Sequence, residues 1–467
     1  MAVATLRRLL AALGRLKYPF AVLIGGGAFA RYCRVPTPRA RDQPSRLWIV
    51  HHYAVTPDMP GGTRHYELAQ LLRSASWDTT VFASPLNYAT ATFQRPVSLR
   101  RAVMRRDEGG LDVHWVYTVP YRGNNWRRYL NMLSFPVVAA VPLLRGLRPD
   151  AVIGSSPNPF AALAGWLAAW WHRTPFVLEV RDLWPETLIE MGVRNPAIIL
   201  PLRVIERWLY ARAVAIVALT EGIEERLVAK GVPEAKVHLI PNAPLRPAPP
   251  DAARRAARRH GLGWGSRVVA IYAGAHGPAN GLETVVDAAR QLADLPDLLV
   301  VLIGDGGAKA ELQMRAADLT NVEFLDPVPK DQIGDILRAA DIAILSLRGK
   351  DLFQGARPNK LFDYMVAGLP IVSTVGGEAW GLIDAAESGV LAHPDDAGAL
   401  AHALRGLAED RACRLRLGER GFRYVAEHHS RERTAEDLGA LLAVIAGRAE
   451  PTHMGVPWPP FRRSARP

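Results

Sequence analysis

LWIVHHYAVTPDMPGGTRHYELAQLLRSASWDTTVFA, residues 47–83, decides the fold. LWIV (47–50) and TVFA (80–83) are short continuous apolar runs, as expected of strands buried on both faces. TRHYELAQLLR (63–73) between them carries apolar residues at helical spacing. Similar apolar runs recur at AVIG (151–154), FVLEV (176–180) and VAIVAL (214–219). A second series begins at VVAIYAG (268–274) and continues through LLVVLIGDG (298–306), IAILSL (342–347) and IVST (371–374). The pattern predicts an α/β protein with two Rossmann-like domains facing each other across a cleft.

A chain of 467 residues needs more than one core. Prolines at 241, 244, 247, 249 and 250 and the charged stretch RRAARRHG after them mark a linker between the two series. The expected units are a leader at 1–44, a first Rossmann-like domain at 45–243 and a second at 244–430. A C-terminal helix at 431–449, packing back on the first domain, and a disordered tail at 450–467 follow.

Net charge is +12, but most of the excess lies at the two ends, in Arg7, Arg8, Arg15, Lys17, Arg31, Arg34, Arg39, Arg41 and Arg46 and in Arg462, Arg463 and Arg466. The body is near neutral and has no basic-aromatic stripe, so nucleic acid is not an expected partner. YPFAVLIGGGAFAR (18–31) is too short to span a bilayer, which needs roughly 20 residues. Behind its basic residues it suits a peripheral anchor on the cytoplasmic face of the membrane; an export signal ending near Ala28-Phe29-Ala30, a mis-assigned start and a disordered leader are the alternatives. Cys33 and Cys413 give neither a disulfide framework nor a zinc signature and fit a reducing cytoplasm.

Ligands of doubly wound sheets bind beyond the carboxyl ends of the strands, where helix N-termini point into the crevice. Four such junctions carry chemistry. Gly61 and Gly62 allow close backbone approach to an anion. Glu179-Val-Arg-Asp-Leu-Trp-Pro-Glu186 places four charges around a strand end; a cleft-facing group built on Arg181 and Asp182 is expected over a local ion-pair cluster. Gly304-Asp-Gly-Gly307, followed by Lys309, reads as a nucleotide-contacting turn without full GxGxxG spacing. Arg357-Pro-Asn-Lys-Leu-Phe-Asp363 opens a short helix that Gly368 and Pro370 close. Arg357, Lys360 and the helix dipole face a diphosphate in this reading, with Asn359 beside them and Asp363 one turn on to accept from hydroxyls.

With IGSSPNPFAALAGWLA (153–168), FVLEVRDLWPETLIEMG (176–192), LTEGIEERLVAKGV (219–232), IPNAP (240–244), YAGAHGPANGLETVVDAA (272–289), IGDGGAKAEL (303–312) and RPNKLFDYMVAGLPIV (357–372) in order, the chain resembles retaining glycosyltransferase family 4. Within it, the chain is most similar to bacterial O-antigen and capsule aminosugar transferases of the N-acetyl-L-fucosamine type. The resemblance implies the GT-B fold and transfer of a sugar, an N-acetylated aminosugar on a UDP carrier, with retention of configuration. The acceptor would be polyprenyl-diphosphate-linked or a surface glycan. A GT-B nucleotide-sugar epimerase and a non-catalytic subunit of a glycan assembly are the rival readings. Of the family's two acidic residues eight positions apart, Asp363 fills the second place and Gly355 stands at the first. Arg181-Asp182 replaces a common His-Asp. His276 and Asn280 stand where the family often has a basic residue. The expected catalytic group is therefore Asp182, Arg357, Lys360 and Asp363. Gly61, Gly62, His276, Asn280, Gly304, Gly306, Lys309 and Asn359 are expected to hold the donor. With no DxD pair, no metal and no cofactor beyond the donor are expected. The apolar stretches 130–148 and 160–173 suit a lipid-linked acceptor at a membrane surface.

Overall fold

The computed structural model describes residues 43–123, 126–190, 192–245 and 251–449. All but the last two residues of the leader assigned to 1–44, and the whole tail 450–467, lie outside the described residues. The first half contains β1 (Ser45–Val50), α1 (Arg64–Ser74), β2 (Trp77–Ala83), β3 (Val103–Glu108), β4 (Leu111–Val116), α2 (Trp126–Arg145), β5 (Ala151–Ser155) and α3 (Pro159–His172). It continues with β6 (Phe176–Val180), α4 (Glu186–Glu190), α5 (Pro196–Arg212), β7 (Ala215–Ala218), α6 (Glu221–Ala229) and β8 (Val237–Leu239). The second half contains α7 (Ala252–Gly261), β9 (Val268–Ala273), α8 (Leu282–Gln291), β10 (Leu298–Ile303), α9 (Lys309–Arg315), β11 (Val322–Leu325) and α10 (Lys330–Ala339). After these come β12 (Ile342–Leu345), α11 (Asn359–Val366), β13 (Ile371–Ser373), α12 (Gly377–Ala385), β14 (Gly389–Leu391), α13 (Ala397–Glu409), α14 (Arg411–His428) and α15 (Arg431–Ile445).

The strands form two sheets, ordered β3-β4-β2-β1-β5-β6-β7-β8 and β11-β10-β9-β12-β13-β14. Every pairing is parallel except β3 with β4. Strand apolarity on both faces follows from helices covering both sides. Along β9, Val269 and Ile271 enter one core layer, with Leu361 and Met365 of α11. Ala270 and Tyr272 enter the opposite layer, with Val285 of α8 and Leu404 of α13. In the first sheet the order reverses at β1, which has β2 on one side and β5 on the other; in the second it reverses at β9, between β10 and β12. A crevice opens at each reversal point.

Two readings of the sequence need correction. Residues 252–261 form the helix α7, capped by Asp251 accepting from Arg254 N at 2.9 Å, rather than extending the linker. Arg255 and Arg259 of α7 pair with Asp341, which also accepts from Val269 N, so the charged run fastens a helix to the second sheet. The antiparallel β3–β4 hairpin went unread because its first strand, VMRRDE, is too charged to show as an apolar run. Helix α15 packs on α1, and Arg431 Nε meets Glu67 Oε2 at 2.8 Å.

Candidate active site

A cleft of about 320 Å³ joins the two sheets. One wall is Gly61, Gly62 and Tyr88; the other holds the ends of β9 and β10 at Gly274 and Gly304, together with Asn280, Lys330, Asn359, Lys360 and Asp363. Lys360 is the cation at its floor. Its Nζ donates to Tyr272 Oη at 2.6 Å and lies 3.9 Å from that ring's centroid. Among the described residues no carboxylate comes within ion-pair distance of it, and burial lowers its pKa to about 7. The passing backbone is Gly274, at φ 153°; a Cβ there would lie 2.7 Å from Lys360 Nζ. Glycine is what allows the ammonium to reach the strand end.

Asp363, one turn along α11, does not pair with Lys360. It accepts from Lys330 Nζ at 2.7 Å on each carboxylate oxygen. Lys330 was missed by sequence reasoning. It starts α10, behind the short strand β11, whose sequence VEFL has an acid where an apolar residue would have disclosed the junction. The backbone N–H groups of Lys330 and Asp331 donate to Met59 O and Pro57 O, both at 3.1 Å, which ties the start of α10 to the loop after β1. Pro358, at the N-cap of α11, contributes no side-chain cap, and Asn359 Oδ1 is buried with no hydrogen-bond partner among the described residues.

Arg357 is not in this cleft. It is buried, donates to Leu219 O at 3.3 Å and lies 3.8 Å from Glu378 Oε2. It lines a second cavity of about 250 Å³ with Arg181, Asp182, Thr220, Asn242 and Gly355. The structure thus divides the predicted group of four: Lys360 and Asp363 share one cavity, Arg357 and Asp182 the other. Pro358 separates the two, and lines the second. At Gly355 the halves meet backbone to backbone: its carbonyl accepts from Thr220 Oγ1 at 2.9 Å, and a Cβ on it would sit 3.2 Å from Gly222 Cα. The place of the family's first acid is thus a close approach between domains. Glu378 reaches the same point from α12 and accepts from Gly222 N.

The charges around β6 do not all face a cleft. Glu179 is buried; it accepts from Arg64 Nε at 2.9 Å and Ser155 Oγ at 2.6 Å and meets His65 Nε2 at 2.6 Å. Burial alone would raise its pKa, but His65 and Arg64 hold it well below the usual carboxylate range. Arg64 also donates to Pro241 O, Asn242 Oδ1 and Ile240 O, so the network stitches α1 and β6 to the segment leaving the first sheet. Glu186 pairs with Lys230 at 2.8 Å. Only Arg181 and Asp182 turn to the second cavity, with their backbone N–H groups on Ser156 Oγ.

The remaining predicted residues scatter. Gly304 and Asn280 line the first cleft, and Asn280 O accepts from Ser346 Oγ at 2.7 Å. Gly306 packs on the backbone of His276. His276 is fully buried beneath the turn; burial, aided by Lys309, lowers its pKa to about 4. Lys309 pairs with the exposed Asp326 at 2.6 Å and is not among the cleft-lining residues.

Two Rossmann-like domains facing each other across a cleft are the GT-B architecture. The chain is a glycosyltransferase of the GT-B type: residues 61–243 match the family model described as a glycosyl transferase 4-like domain, and residues 267–410 match glycosyl transferases group 1. It is 24% identical over 339 residues to the putative colanic acid biosynthesis glycosyl transferase WcaI of Escherichia coli (strain K12), covering 68% of this chain and 81% of that protein. Among solved structures, sucrose-phosphate synthase from Thermosynechococcus elongatus superposes with a TM-score of 0.67 at 17% identity, over 87% of this chain and 100% of that one. HepE of Anabaena, in complex with UDP and glucose, gives 0.63 at 16% identity, over 86% and 100%.

Proposed function

We propose that this enzyme transfers an N-acetylated aminosugar from a UDP-linked donor to a polyprenyl-diphosphate-linked or surface-glycan acceptor, with retention of anomeric configuration, at the cytoplasmic face of a membrane. The single observation that carries the donor half is Lys360: a lysine at the floor of the interdomain cleft with no carboxylate partner among the described residues, its pKa lowered to about 7 by burial. A diphosphate supplies the counter-charge that this lysine lacks. The colanic acid biosynthesis named for the Escherichia coli relative and the UDP in the HepE structure support a UDP-sugar and a polysaccharide product.

In this reading the backbone at Gly61 and Gly62 and the ammonium of Lys360 hold the diphosphate. The Asp363–Lys330 pair accepts from and donates to ribose hydroxyls. Arg181, Asp182 and Arg357 line the neighbouring cavity, where the sugar and the incoming hydroxyl meet. The bond from the anomeric carbon to the diphosphate oxygen breaks as the bond to the acceptor oxygen forms on the same face. The acceptor proton passes to the departing phosphate oxygen. Lys360 stabilises the charge developing there, and closure of the two domains over the donor keeps water out. The test is a panel of UDP-, GDP- and dTDP-sugars with an acceptor extract, with product configuration read by NMR. Turnover with a nucleotide sugar other than UDP-linked, or an inverted product, overturns the corresponding part.

A further inference from the structure

A surface helix ordinarily turns its apolar side chains inward and its polar ones to water. Helix α2 is apolar on both sides: it buries Met132, Phe135, Ala139 and Leu143, and its outer side is apolar as well. Its buried Asn131 donates to Thr118 Oγ1 at 2.8 Å and to Val119 O at 2.9 Å. Its exposed positions between the terminal arginines are Leu130, Leu133, Val137, Val141 and Leu144, spaced by three and four so that they form one stripe. Trp126 heads the stripe at 65% exposure, and Val137 in its middle is 73% exposed. The adjoining α3 extends the same surface: its exposed residues are Leu167, Trp170 and Trp171. Neither helix contains an Asp or Glu. The exposed charges at their ends, Arg127, Arg145, Arg148 and Arg173, are all positive.

We infer that the α2–α3 face lies flat on an anionic lipid bilayer, with the stripe in the acyl boundary and the arginines among the headgroups. The inference rests on the reading that the acceptor is lipid-linked and names the surface that brings the enzyme to it. Among the described residues no helix is long and apolar enough to cross a membrane, so α2 lies on the bilayer rather than through it. The buried side of the same helix leads towards the cleft. Phe135 of α2 stacks on His52, centroids 4.8 Å apart, His52 stacks on Tyr53, and Tyr53 lies edge-on to Tyr88, which lines the cleft.

The experiment is flotation of the full-length protein with phosphatidylcholine vesicles, with and without added phosphatidylglycerol. The wild type should float with the anionic vesicles and less with the neutral ones. The triple variant Leu133→Glu/Val137→Glu/Val141→Glu should lose at least roughly tenfold in partitioning, since it removes three apolar side chains from the acyl boundary and puts charges there. Circular dichroism and thermal unfolding establish that it is folded. Should it not fold, Arg127→Glu/Arg145→Glu decides: it should lower binding to anionic vesicles and leave binding to neutral ones unchanged. Wild-type partitioning in a folded triple variant, with residues 1–43 carrying all the binding, overturns the inference. So does a wild type that ignores vesicles and sediments as a dimer that the triple substitution splits. Vesicle binding needs no turnover, so its failure is distinct from failure of the transferase reading.

Discussion

Lys360 carries the sharpest consequences. Between pH 7 and the ordinary lysine range it is neutral in the fold and charged in the unfolded chain, so its folded-state pKa of about 7 makes stability rise with pH across that window. A bound diphosphate favours the charged form, so donor binding takes up a proton there. Donor affinity measured by calorimetry should be flat below pH 7 and fall about tenfold per unit above it. Lys360→Met should abolish this slope and weaken UDP-sugar binding by roughly ten- to a hundredfold, the worth of a charged hydrogen bond. Asp363→Asn keeps the shape but removes the charge that Lys330 grips at 2.7 Å. The expected result is a donor KM raised by about tenfold, with a smaller change in kcat; an unchanged KM would dissociate the pair from donor binding.

At the scale of elements, the loop before α11 matters more for closure than for charge. Gly355→Glu, which restores the family's acid, places a Cβ 3.2 Å from Gly222 Cα across the domain boundary. Turnover should drop while UDP, which we propose binds in the other cavity, still protects the variant against thermal unfolding; a gain in turnover would show that the acid is accommodated. The elements themselves were largely legible. Nine apolar runs read from the sequence are strands here, because a strand buried on both faces has no room for polar residues. Short or charged edge strands carry no such signature, and the loss of β11 from the reading hid Lys330 with it. Nor was the division of the site legible. Arg357 and Lys360 are three residues apart in sequence, but Pro358 starts the helix between them, and their guanidinium and ammonium groups enter different cavities. Glu179 was misplaced because its partners, Arg64 and His65, come from a helix over a hundred residues earlier.

At the scale of the whole molecule, the Glu179–Arg64 pair sits where the first domain hands the chain to the second. Removing one partner of a buried ion pair leaves an uncompensated charge, so Glu179→Ala should destabilise the protein by about 3–5 kcal/mol in denaturant unfolding. The chain passes between the domains twice, once after Pro244 and again before Arg431. These passages are bonded to each other: Arg431 N donates to Pro244 O at 2.8 Å, and Thr434 Oγ1 to Pro241 O at 3.4 Å. A pair of adjacent covalent tethers acts as a hinge pin, leaving the domains essentially one degree of freedom, a rotation about the line through both. Points far from that line travel furthest, so in the proposed reaction a single angular coordinate sets the width of the cleft that Lys360 floors.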